Sequence, residues 1–187
     1  WGLLLGFLDL QGTALPPFRQ QSRASGRPMA PSFAAAPACY ACRMFSPSQE
    51  DVRRFFCEAF AKARDGKPLE AIETLAARWM DEHPEYHAEF ADLDAALASM
   101  KTVEPGRTNP FLHLSMHLSI SEQCSIDQPR GIRQAVELLT HKRNSLHQAH
   151  HEAMECLGTM LWESQQAGKP PDGDSYIACI QRHATRD

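Results

Sequence analysis

From residue 46 onward, apolar residues return every three or four positions, and most such stretches are opened by a cap residue or a proline and closed by a Gly- or Pro-containing turn. A chain punctuated in this way can bury its apolar surface only as a set of helices that each turn one face inward. No segment alternates apolar and polar residues long enough to build a strand, and the intervening loops are short. The pattern predicts an all-α fold, a single helical bundle.

Ser46, with Pro47 at the first helical position and Gln49 three residues past the cap, predicts a capping box for a first helix. Val52, Phe55, Phe56, Ala59 and Phe60 line its inner face and Gly66 ends it. Pro68 opens a second helix with Leu69, Ile72, Leu75, Ala76, Trp79 and Met80 on one face, stopped by Pro84. A short third helix carries Tyr86, Phe90 and Leu93 to Leu97. Asn109-Pro110 caps a fourth helix running to about Ser125, after a loop at 101–108. The turn at Asp127-Gln128-Pro129 leads to a fifth, with Ile132, Val136 and Leu139 inward. Asn144-Ser145 starts a long sixth helix that reaches Gly168, and a last short one spans Ser175 to Arg182.

Residues 1–43 differ in kind. They hold eight Ala, five Pro and four Gly, and four Arg against the single Asp9, so they carry +3 while the remaining residues carry −7. Such a stretch buries too little apolar area to offset its ordering entropy. We read 1–43 as an extraneous or disordered N-terminal extension and 44–187 as the bundle domain. The longest apolar run, Trp1 to Leu8, falls far short of the roughly 20 residues of a membrane span. A net charge of −4 lacks the basic surplus that nucleic-acid phosphates require. Cys39 and Cys42 form a lone CxxC with no second half-site. Cys57, Cys124, Cys156 and Cys179 are widely spaced and read as small core residues rather than a disulfide framework, which points to a reducing compartment.

Nine histidines are the chemical signal. Three sets contain an i, i+4 pair: His83/His87, His113/His117 and His147/His151, with His150 inside the last. Residues four apart share a helix face, so two imidazoles can reach one ion from one rigid element. On the fourth helix, His113 and His117 turn with Met116, Ile120 and Cys124 toward the core, and Ser115, Ser119 and Glu122 take the wet side. On the sixth, His147, His151 and Glu155 form a line at the edge of the apolar arc, beside Trp162, and His150 points into the arc. His83 and His87 straddle a helix break, which leaves His87 as the better extra donor. His141 and His183 read as solvated. The predicted metal ligands are therefore His113, His117 and His151, with Glu155 or His87 as a fourth. A carboxylate with imidazoles suits one transition-metal ion, zinc, iron or manganese.

Several strings together resemble a bacterial family, domain-of-unknown-function family 1841: Met44-Phe-Ser-Pro-Ser, Asp51-Val-Arg-Arg-Phe-Phe, His83-Pro-Glu-Tyr-His87, Asn109-Pro-Phe-Leu-His-Leu-Ser-Met-His-Leu-Ser-Ile, Ser125-Ile-Asp-Gln-Pro129 and Met154-Glu-Cys-Leu. The resemblance covers Met44 to Arg182 and implies a short cytoplasmic bacterial protein, with no activity or catalytic residue attached. Two functions stay open. One is a metal-binding bundle, catalytic only if a position on the ion is free for water. The alternative is a non-catalytic helical adaptor with structural histidines that meets a protein partner through residues 125–132. No motif names a substrate or reaction.

Overall fold

The computed structural model describes residues 47–101 and 108–186. The predicted extension, the Cys39/Cys42 pair and most of the 101–108 loop lie outside them. The described chain is helical, with no strand among the described residues. In order it runs α1 (Gln49–Arg64), α2 (Ala71–Asp81), a 3₁₀ turn (Pro84–Tyr86), α3 (His87–Phe90), α4 (Leu93–Ala98), a 3₁₀ turn (Ser99–Lys101), α5 (Pro110–Ile126), α6 (Ile132–Arg143), α7 (Leu146–Ala167) and α8 (Gly173–Thr185). No helix among the described residues is long and apolar enough to cross a membrane.

The helix starts follow from side-chain chemistry. The capping box of α1 belongs to Ser48 and Asp51, two residues later than the predicted Ser46 and Gln49. Ser48 Oγ accepts from the Asp51 N–H at 3.1 Å, and Asp51 Oδ2 accepts from the Ser48 N–H at 2.8 Å. Both reciprocal bonds form there because Asp51 stands at the third helical position and reaches back to the cap. α2 likewise starts after Glu70 rather than at Pro68, boxed by Glu73. The predicted third helix is broken, because Asp92 caps α4 through the Ala95 N–H and separates it from α3.

α5 is the axis of the molecule. Phe111, Leu114 and Leu118 on it join Phe56, Phe60, Trp79, Met80, Phe90 and Ala96 of the first four helices in one core. Ile120 joins Ile132, Leu139, Leu157, Ile177 and Ile180 of α6, α7 and α8 in a second. With a core on both sides, α5 leaves little of its middle to solvent, so Ser115 and Ser119, predicted wet, are buried. Ser115 Oγ–H meets its need by donating to the Phe111 carbonyl one turn back, at 2.7 Å. A further correction concerns the cysteines: Cys156 of α7 and Cys179 of α8 are joined by a disulfide, whereas Cys57 and Cys124 are free. Helix periodicity placed each of the bonded pair inward, but only the packing of α8 on α7 brings them face to face.

Candidate metal centre

Proline disfavours helical backbone in the residue before it. α2 therefore stops at Asp81, and His83, ahead of Pro84, leaves the helix at φ −128° and ψ 61°. Its ring turns inward and is only 2% exposed. His113 and His117 stand one turn apart on α5, and His147 and His151 one turn apart on α7, so the packing of these helices sets the two pairs opposite each other. His83 closes the gap from the α2 corner.

His83 Nε2 lies 2.9 Å from His117 Nε2 and 3.1 Å from His147 Nε2. His151 Nε2 lies 3.2 Å from His113 Nε2. Ligand atoms of His83, His117, His147 and His151 all fall within 4.8 Å of one another. An ion with bonds of ~2.05 Å to imidazole nitrogen would hold such atoms about 3.3 Å apart in a tetrahedron, or about 2.9 Å apart as octahedral neighbours. The His83 contacts fall close to those separations.

Proton placement makes the fit sharper. His83 Nδ1 is 2.9 Å from Glu85 Oε1, so its N–H donates to the carboxylate and Nε2 carries the lone pair. One lone pair accepts one N–H well, yet both His117 and His147 present Nε2 to it. Protons alone leave one of these contacts poorly made, whereas a cation among them takes every lone pair. Behind the cluster, His117 Nδ1 is 3.4 Å from Nδ1 of the buried His150. A carboxylate on the far ring nitrogen, as Glu85 is on His83, is the support that metal-bound histidines ordinarily have.

Trp79 forms the floor. Its ring stacks on His117 at 4.1 Å and lies 4.4 Å from His150, and its Nε1–H donates to Ser121 Oγ at 3.0 Å. Tyr86 stacks on His83 at 5.5 Å from the other side. Burial, with neighbouring imidazoles adding to it, pulls His113 down to about 4 and His150 down to about 3. The same causes push His117 further down, and His147 and His151 are lowered as well. These rings are neutral at neutral pH, the state in which imidazole binds metal.

Of the residues predicted from the sequence, His113, His117 and His151 come together here. His87 is held by the Met80 carbonyl, 2.8 Å from its Nε2, and packs against Phe60 at 5.0 Å. Glu155 is exposed on α7, where its carbonyl accepts from Thr159 Oγ1. Neither falls in the four-imidazole group. His83 is the residue that the sequence reading passed over, and its signal was the proline that follows it. His147 was visible as the i−4 partner of His151.

Comparison with curated proteins and with solved structures gives no match. The family described as a domain of unknown function, DUF1841, matches residues 48–182, a span that contains all six clustered histidines, and the chain belongs to that family.

Proposed function

We propose that this chain is a metal-binding helical protein in which His83, His117, His147 and His151 hold a single transition-metal ion, with His113 beside them on the half-buried rim. The observation that carries the reading is the convergence of imidazole nitrogens on one point, with Glu85 and His150 on the far sides of two rings. An all-imidazole set suits zinc, iron, copper or nickel and disfavours manganese, which prefers oxygen donors. A bound ion of this kind supplies Lewis acidity. The chain's own part is to keep the rings neutral, fix their tautomers and close the inner side with Trp79. His113, His147 and His151 are only partly buried, so a small molecule would reach the centre from their side.

The test is metal content of purified protein by plasma emission after expression with added metals, and again after reconstitution. One ion per chain is expected, and His83→Ala or His117→Ala should remove most of it. Copper(II) or nickel(II) should also quench Trp79 fluorescence, and the response should vanish in Trp79→Phe. Stoichiometry near zero with zinc, iron, copper and nickel alike would overturn the reading in favour of the adaptor.

A further inference from the structure

A second group of ligand-type side chains stands apart from the imidazole cluster. One ligand atom each from Cys156, Cys179 and His183 lies within 4.8 Å of the others. Cys179 and His183 are four apart on α8 and share the face that meets Cys156 on α7. His183 Nδ1 is 3.1 Å from Glu152 Oε2, and Glu152 in turn accepts from Arg143 Nε and Nη2. The Arg143 guanidinium caps the Glu152 carboxylate from the side away from His183, which leaves Oε2 an acceptor for the ring. The His183 Nδ1–H then donates to Oε2, and the lone pair sits on Nε2. A disulfide needs only its two sulfurs. A tautomer fixed by a carboxylate, itself anchored by an arginine, is what a metal-bound histidine needs.

We propose that Cys156, Cys179 and His183 form a thiol-dependent zinc(II) site, of which the disulfide is the closed state. Two low-molecular-weight thiols open it: their two electrons enter the Cys156–Cys179 bond, their protons end on the two protein thiols, and one small disulfide leaves. Zinc(II) then displaces the two thiol protons, and His183 binds through its neutral nitrogen. Two thiolates cancel the ion's charge. Cys179 and His183 are only partly buried, which leaves the fourth position to water. Zinc at ~2.3 Å from each sulfur spreads the two to about 3.8 Å, a distance that side-chain rotation supplies. α7 and α8 stay packed meanwhile through Leu157, Leu161, Ile177 and Ile180. The proposal does not depend on the imidazole centre.

Cobalt(II) is the probe, because thiolate ligation gives a thiolate-to-cobalt charge-transfer band that an all-imidazole site cannot produce. The full chain carrying Cys39→Ser and Cys42→Ser, which removes the upstream pair, is reduced with a phosphine and titrated. The band should be absent before reduction, saturate afterwards at one equivalent of cobalt beyond that taken up before reduction, and disappear when excess zinc is added. His183→Ala, at a partly exposed position that should spare the fold, should weaken cobalt binding at least about tenfold, and Glu152→Gln by about tenfold. The proposal is overturned by any of three results: no band in protein whose thiols are shown to be free, a band that survives Cys156→Ser with Cys179→Ser, or unchanged affinity in His183→Ala.

Discussion

At the scale of single residues, the balance between burying an imidazole and giving it a partner governs the candidate centre. Glu85 touches the cluster only through His83 Nδ1, at 2.9 Å. Glu85→Gln keeps the shape and removes the charge, so we expect metal affinity to fall about 10- to 100-fold, measured by competition with a chelator, with the fold unchanged. Unchanged affinity would mean that the carboxylate merely caps a surface corner. The lowered histidines also set a pH dependence. His113 and His150 titrate lower in the folded state, at about 4 and about 3, than the roughly 6.5 of an unfolded chain. The unfolded chain therefore binds more protons in that interval, and stability rises with pH. Their contribution should be fully present above about pH 6.5. It should be lost progressively as pH falls through those lower values, as urea midpoints of the metal-free protein between pH 7 and pH 4 would report. A midpoint flat over that range would show that the rings titrate alike in the folded and unfolded chain.

At the scale of elements, α5 decides whether the molecule behaves as one unit. Leu114 belongs to the core of α1 to α4 and Ile120 to that of α6 to α8, and both are 0% exposed on the same helix. A shared central helix couples the two cores, so neither can melt while the other keeps α5 ordered at full strength. Leu114→Ala and Ile120→Ala should each cost about 2–5 kcal/mol and shift one common unfolding transition. Two separate transitions, each moved by only one variant, would show that the cores unfold independently. The doubly covered face of α5 also explains the misplacement of Ser115 and Ser119. Serine on a helix reads as a solvent marker, but the Ser115 hydroxyl is satisfied by the carbonyl one turn back, so packing can cover it without an orphaned donor.

At the scale of the whole molecule, the described helices close their cores among themselves, and the family match begins at residue 48. A chain shortened to start at Met44 should therefore melt at the temperature of the full chain, followed by circular dichroism. A clear fall would mean that residues upstream pack on the bundle. What the sequence determined by itself is local: that the chain folds into helices rather than strands, where α5, α6 and α7 begin and end, and which rings ride together as His113/His117 and His147/His151. Those follow from periodicity, caps and proline, which act within a few residues. Tertiary structure alone decided that His83 enters the cluster, since it sits off any helix, 34 residues from His117 and 64 from His147. It alone decided too that Cys156 meets Cys179 across 23 residues. Helical phase says which way a side chain faces but not what stands opposite, and a residue at a corner has no phase to read.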